Sequence, residues 1–319
     1  MTITKTQPEF LRSALGTRLQ ESVSLKRYTA ARIGGNADAL VCVGTAEELA
    51  QVAKLCWEQS IPFVILGSAS NVLVSDRGVR QLVLLNQAKR TEFNSGAQPV
   101  TVWCESGVNF GGLARQVATR GLSGLEWAAG IPGTVGGAVY GNAGAHGSDM
   151  KASLLLANIL HLTPLDDAHP HEIMQEDWSV ERLEYGYRSS SLKRQTGGAV
   201  VLSATMKLTQ STLAAVQATM DNFAAIRRSS QPSGASLGSI FKNPPGDYAG
   251  RLIEAVGLKG MKMGKVEISP KHANFFINQD SATAEDYVSL IRLAQEKVQQ
   301  KFGVSLELEI ELLGDWTEK

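Results

Sequence analysis

Two glycine clusters carry the first chemical signal in this chain. One is Gly67-Ser68-Ala69-Ser70-Asn71, at the end of the apolar run PFVILG; the other is Gly130-Ile131-Pro132-Gly133-Thr134-Val135-Gly136-Gly137, with Asn142 and Gly144 close behind. Glycine lets backbone N–H groups approach a phosphate where a side chain would obstruct them. Two such clusters suggest a dinucleotide. Neither is a Rossmann or P-loop fingerprint: no G-x-G-x-x-G follows a strand and opens a helix, and no G-x-x-x-x-G-K-[ST] occurs. Taken singly, these glycines read better as turn residues, and their density between 130 and 147 brings a cofactor loop level with that reading.

Side chains that could act on a substrate are scattered. Arg188 can fork its guanidinium onto a carboxylate, although it also reads as a surface arginine beside Tyr185 and Tyr187. Ser239 is by itself a turn serine after Gly238. In VSLELEIEL, the residues Val304, Leu306, Leu308, Ile310 and Leu312 alternate with polar ones, so Glu307, Glu309 and Glu311 share one face of a strand. Periodicity does not choose among the three. The segment Gly234-Ala235-Ser236-Leu237-Gly238 matches the G-x-S-x-G elbow of serine hydrolases, but SSQPS precedes it and IFKNPPG follows, where that elbow needs a strand and then a helix. Three scattered cysteines (Cys42, Cys56, Cys104) suit reduced, packed thiols, and the pair His169-Pro170-His171 lacks partners spaced for a metal site.

The elements that must position these residues are legible in outline. ALVCV at 39–43 reads as a strand, and Thr45 with Glu48 forms a capping box opening the helix AEELAQVAKLCWEQ. Short strands follow at PFVILG (62–67) and QLVLL (81–85). NFGGLARQVATRG reads as a helix closed by Gly121, and a strand-rich region runs from the second glycine cluster to about residue 208. STLAAVQATMDNFAAIRR reads as an amphipathic helix, another helix covers about 284–302, and VSLELEIELLG reads as a last strand. At 319 residues the chain is long enough for two or three domains, expected at 1–88, 89–208 and 209–319, with the last strand free to return to the first.

Composition narrows the function further. Hydrophobic residues make up 43% and charged residues 19%, so a long disordered tract is not expected. Lys plus Arg equals Asp plus Glu at 31 each, which gives no electrostatic footprint for nucleic acid. The amino terminus lacks the apolar core of a secretory signal, and no apolar run approaches the roughly 20 residues of a membrane helix. A cytoplasmic protein without membrane or nucleic-acid partners is expected.

Two segments, AGIPGTVGGAVYGNAGAHG and LGSASNVLVSD, together resemble the FAD-binding pair of the UDP-N-acetylenolpyruvoylglucosamine reductase family. Tyr28-Thr29-Ala30-Ala31-Arg32-Ile33-Gly34-Gly35 resembles its opening motif, Gly186-Tyr187-Arg188-Ser189-Ser190 its arginine motif, and Gly238-Ser239-Ile240-Phe241-Lys242-Asn243-Pro244 its serine motif. Lys271-His272-Ala273-Asn274-Phe275 and Leu306-Glu307-Leu308-Glu309-Ile310 complete a set running in the family's order from 28 to about 314. One departure is Ala69, where the family's first loop usually has a second glycine.

The resemblance implies an α+β fold, with a two-part FAD-binding domain of the vanillyl-alcohol oxidase type and a C-terminal α+β substrate domain. It implies NADPH-dependent reduction of UDP-N-acetylglucosamine enolpyruvate to UDP-N-acetylmuramate through noncovalent FAD, in the synthesis of peptidoglycan and hence in cell-wall biogenesis, cell shape and cell division. Catalytic residues would be Arg188, Ser239 and Glu309. The flavin would contact Gly67, Ser68, Ala69, Ser70 and Asn71, and also Gly130, Ile131, Pro132, Gly133, Thr134, Gly137, Asn142 and Gly144. Arg228, Lys242 and Asn243 would meet the UDP-sugar or NADPH. The spacing of about 50 residues from Arg188 to Ser239, with no tyrosine between Tyr187 and Tyr248, matches the compact subtype that lacks a tyrosine lid, and a monomer is expected. The rival classes are a hydrolase, another flavin oxidoreductase acting on an alcohol or lactone, and a non-catalytic binding module. A flavin spectrum bleached by NADPH and restored by the enolpyruvyl sugar separates them.

Overall fold

The computed structural model describes residues 7–163 and 172–316; His169 and His171 lie outside them. Its contacts divide the chain into two compact units. The first gathers 1–40, 68–82 and 226–319, and the second 41–67 and 83–225.

The second unit is built on an antiparallel sheet. Its strands run in the order Ile173–Ser179, Leu154–Leu162, Ala199–Gln210, Val100–Glu105 and Thr91–Asn94, and the short Leu122–Ser123 adds to the end of the long central strand. Alternation along Val100–Glu105 buries Val102 and Cys104, which pack with Phe110, Leu113, Trp127, Ile159 and Met206. The helix Phe110–Ala118 starts as the sequence indicates, with Asn109 Oδ1 accepting from Gly112 N at 2.7 Å, and Gly121 beyond it has φ of 67°. Ala46–Glu58 is also a helix, and Thr45 Oγ1 accepts from Glu48 N at 3.1 Å; the Glu48 carboxylate accepts from Gly44 N at 2.6 Å, one residue further back than a capping box requires. A third helix, Val135–Gly141, forms inside the glycine cluster, where the sequence suggested only loop. Tertiary fit overrides weak propensity here, because a Cβ on Gly136 would lie 2.9 Å from Ser106 Cβ.

The first unit contains the helix Ala284–Phe302, opened by a capping box between Thr283 and Asp286 and closed by Gly303 at φ 68°. Tyr287, Leu290, Ile291 and Val298 on its inner face pack with Phe241, Leu252, Phe276, Leu306 and Ile310. A three-stranded meander, Lys262–Met263, Val266–Ile268 and Phe276–Asn278, lies in the same unit. The expected last strand is shorter than its alternation suggests. Only Glu311–Leu313 is regular, paired in parallel with Val72–Val74, while Glu309 and Ile310 form a bend. Between Ser190 and Gly238 the chain forms a short helix (Ser191–Arg194), the strand Ala199–Gln210, the helix Leu213–Ser230 and a turn, so no inserted lid occurs there. Among the described residues no helix is long and apolar enough to cross a membrane.

Candidate functional site

In the first unit, the serine motif lies between two other motif segments. Ile240 N donates to Asn274 O at 2.9 Å, Phe241 N donates to Asn274 Oδ1 at 2.9 Å, and Asn274 Nδ2 donates back to Phe241 O at 2.8 Å. The Asn274 side chain is buried and its amide serves both polar groups of Phe241, so it fixes the path of Ser239-Ile240-Phe241. On the other edge, Lys242 N donates to Glu307 O at 2.9 Å and Glu309 N to Ile240 O at 2.8 Å. Gly238, at φ 75°, makes the left-handed turn that delivers the chain into this segment.

This geometry separates the three glutamates that periodicity could not. Glu307 is spread over the surface, its side chain 76% exposed and ion-paired with Lys242 Nζ at 3.2 Å. Glu311 begins the parallel strand pair, donating its amide to Asn71 O at 2.8 Å. Glu309 is half-buried at the bend, and its backbone is held from both sides: its amide by Ile240 O and its carbonyl by Asn71 Nδ2 at 2.9 Å. Asn71, expected at the flavin, therefore uses its amide donor on the segment that carries Glu309. Ala69, in the same loop, is buried and left-handed at φ 40°, a conformation that glycine adopts freely and alanine only under strain.

Asn243 Oδ1 accepts from Ala249 N at 3.1 Å, closing the loop that follows the serine motif. Arg228 stands exposed near the end of its helix, its carbonyl accepting from Lys271 Nζ. The neighbouring Arg227 continues the inner stripe Val216, Met220, Phe223 at spacings of four, three and four; it is half-buried, and burial pulls its guanidinium pKa down. The 3.6-residue period of this helix could have picked Arg227 from the sequence.

In the second unit, the segment Gly130–Thr134 is open to solvent at Gly130 and Pro132, and Gly130 and Gly133 take φ of 78° and 122°. Phe110 N donates to Gly133 O and Val135 N to Val108 O at the far end of the loop, and Ile131 N donates to Ala128 O near its start. Among the described residues no backbone carbonyl accepts from the amides of Gly133, Thr134 or Gly137, so these donors are available to a ligand. A Cβ on Gly67 would sit 2.3 Å from Thr134 Oγ1, whereas one on Gly137 would meet only that same oxygen at 3.9 Å. Available amides on an uncluttered glycine surface fit a dinucleotide diphosphate.

Arg188 sits at the third position of the tight turn Gly186-Tyr187-Arg188-Ser189, closed by Gly186 N to Ser189 O at 3.0 Å and Ser189 N to Gly186 O at 3.2 Å. Its φ is 52°, a backbone state that a bulky residue keeps only when its surroundings enforce it. Nη2 donates to Gly144 O at 3.0 Å. Gly144 must be glycine, since a Cβ there would lie 2.9 Å from both Asp149 Cβ and Ser148 O. Burial pushes the Cys56 thiol up to about 12 and raises that of Cys104 as well, so both remain protonated core groups.

Residues 231–313 match the family model for the C-terminal domain of UDP-N-acetylenolpyruvoylglucosamine reductase, and residues 37–165 match the FAD binding domain. The chain is similar to the UDP-N-acetylenolpyruvoylglucosamine reductase of Chloroflexus aurantiacus, with 39% identity over 303 residues covering 94% of this chain and 99% of that protein. It is 41% identical to the reductase of Rubrobacter xylanophilus, over 91% of this chain and 94% of the relative. Its fold is similar to the crystal structure of the Thermus caldophilus reductase, at 34% identity and a TM-score of 0.76, covering 93% and 99% of the two chains.

Proposed function

The chain belongs to the UDP-N-acetylenolpyruvoylglucosamine reductase family, and we propose on that footing how its residues divide the work. It is an α+β flavoprotein that reduces UDP-N-acetylglucosamine enolpyruvate to UDP-N-acetylmuramate with NADPH, a step of peptidoglycan precursor synthesis. The observation that carries this reading is identity near 40% along almost the whole length of both chains. Bound FAD would supply the redox chemistry, the relay of hydride from NADPH to C3 of the enolpyruvyl group.

The protein must bind the diphosphate, orient the alkene, stabilise charge on the adjoining carboxylate and provide one proton at C2. Gly130, Ile131, Pro132, Gly133, Thr134 and Gly137 form the flavin-facing surface of the second loop, and Gly67, Ser68, Ala69 and Ser70 that of the first. Arg188 forks onto the substrate carboxylate and stabilises the negative charge that develops as C3 gains hydride. Ser239 Oγ–H gives the C2 proton, which a weak acid can do because the carbanionic centre beside it is strongly basic. A proton taken up from water then restores the Ser239 hydroxyl, with the Glu309 carboxylate relaying it. Lys242, Asn243 and the Arg227–Arg228 pair meet the sugar nucleotide or NADPH, with Arg227 as the half-buried member.

In the three-part division expected from the sequence, 1–88 and 89–208 serve the flavin and 209–319 the substrate. The flavin is held without a covalent bond, and acid precipitation should leave FAD in the supernatant. A cytoplasmic monomer suits an enzyme whose reactants are soluble nucleotides, and a mass from light scattering near twice that of the chain would overturn the monomer. The overall reading is tested by the absorbance spectrum: oxidised-flavin bands should bleach with NADPH and return on adding the enolpyruvyl sugar nucleotide. Bleaching without return would mean a different electron acceptor.

A further inference from the structure

We propose that Asn142 is a positioning residue for Arg188 rather than a ligand of the flavin, a step that rests on Arg188 meeting the substrate carboxylate. Asn142 follows the helix Val135–Gly141 in the left-handed conformation (φ 47°, ψ 59°), and the residue is 4% exposed. Nδ2 donates to Gly186 O at 3.0 Å and to Asp149 Oδ2 at 3.3 Å, while Oδ1 accepts from Lys151 N at 3.0 Å. Both amide protons are therefore committed inside the protein, and none is left for a phosphate or an isoalloxazine oxygen.

The two acceptors it serves are the two supports of Arg188. Gly186 opens the tight turn whose third residue is Arg188. Asp149 lies opposite Gly144 in the two-stranded ribbon Gly144–Ala145 and Ser148–Asp149, and Gly144 O is the acceptor for Arg188 Nη2. One side chain thus fixes both the strained turn that carries the guanidinium and the ribbon that receives it. The flanks of the turn have their own anchors on the same helix, Tyr185 Oη to Val139 O at 2.8 Å and Ser190 Oγ to Tyr140 O at 2.6 Å. Losing the Asn142 amide should therefore loosen the tip of the turn without releasing its base. The same helix begins at Thr134 in the flavin loop, so loop and arginine are registered through one short rigid element.

The test is Asn142→Gly in the FAD-loaded enzyme, because glycine keeps the left-handed backbone and deletes only the side chain. FAD affinity and the rate of flavin reduction by NADPH should stay within about threefold of wild type, while reoxidation by the enolpyruvyl sugar nucleotide should slow about 10- to 100-fold, the cost of a small misplacement. In an Arg188→Ala background, itself slow in reoxidation, Asn142→Gly should add less than about twofold. Should Asn142→Gly fail to fold, Asn142→Asp keeps the acceptor for Lys151 N and regains a donor only when protonated. Its reoxidation rate relative to wild type should then climb as pH falls. Loss of FAD, equal slowing of both half-reactions, or full multiplication of the two substitutions would each overturn the proposal. If Arg188→Ala alone leaves reoxidation unchanged, the failure lies in the role given to Arg188 and takes this inference with it.

Discussion

Glu309 donates its backbone amide to Ile240 O at 2.8 Å, so the bend carrying this carboxylate is hydrogen-bonded to the residue next to Ser239. Asn71 Nδ2 holds the Glu309 carbonyl at 2.9 Å. The Glu309 bend is thus held beside the serine motif, whereas the Glu307 side chain is spread over the surface and Glu311 lies in the regular strand pair with Val72–Val74. Glu309→Gln should leave FAD binding and reduction by NADPH near wild type and slow reoxidation by the enolpyruvyl substrate about 100-fold or more, as expected when an acid–base group is lost. Glu307→Gln and Glu311→Gln should each stay within about threefold, and stopped-flow traces at the flavin absorbance measure all three. A larger effect at Glu307 would move the role onto the Lys242 ion pair.

Ser239 is expected to act in only one half-reaction. In Ser239→Ala, flavin reduction by NADPH should keep its rate while reoxidation falls about 10²- to 10⁴-fold, or about 3 to 5 kcal/mol of barrier. Cysteine at this position should recover part of the second step, since its thiol is the better acid. Equal slowing of both steps would mean that Ser239 only shapes the cleft.

Much of this site was legible in the sequence because its motifs are contiguous strings, each with its own turn chemistry. Gly238 before Ser239 and Gly121 after the helix Phe110–Ala118 are glycines whose positive φ explains why they are there. What the sequence did not yield depends on contacts between distant segments. Asn71 bonds to a residue 238 positions away and Asn142 to one 44 away, so each reads locally as part of a glycine loop while its side chain holds a distant segment. The bend at Glu309–Ile310 was hidden by an apolar alternation that continues unbroken from Val304 to Leu312.

Ala69 tests the cost of that loop's backbone. Left-handed alanine is unfavourable by about 1–2 kcal/mol, and glycine gives back about 0.4–1 kcal/mol through the greater freedom of the unfolded chain. Ala69→Gly should therefore stabilise the enzyme by about 0.5–1 kcal/mol in urea titration, with the midpoint raised and the slope unchanged. Destabilisation would show that the buried methyl contributes more by packing than its backbone costs.

Acid stability has one local contributor near the serine motif. The Asp247 carboxylate is held down to about 2 by the hydrogen bond from Arg251 first and by the Tyr248 amide second. A depressed folded pKa means that its stabilisation is present above the ordinary aspartate range and is lost as pH falls from there toward about 2. The pair is exposed, so solvent screening keeps the effect small. Asp247→Asn should flatten the decline in thermal midpoint between those two pH values, and an unchanged slope would assign the acid sensitivity to other carboxylates.

Arg227 and Arg228 offer the last discrimination, since the two side chains leave the same helix about 100° apart. Arg227 extends the stripe of Val216, Met220 and Phe223, and half-burial lowers its pKa, whereas Arg228 points to solvent. A partly desolvated guanidinium bonds an anion more strongly than an exposed one, because water competes less for the same donors. Arg227→Ala should raise KM for the sugar nucleotide about tenfold or more, the usual worth of one hydrogen bond between charged groups, with kcat changed far less. Arg228→Ala should stay within about twofold at moderate ionic strength, and its residual effect should vanish in added salt while that of Arg227→Ala persists. The reverse ranking in steady-state kinetics would return the diphosphate contact to Arg228 and leave Arg227 as a packing residue whose stem covers the inner face of its helix.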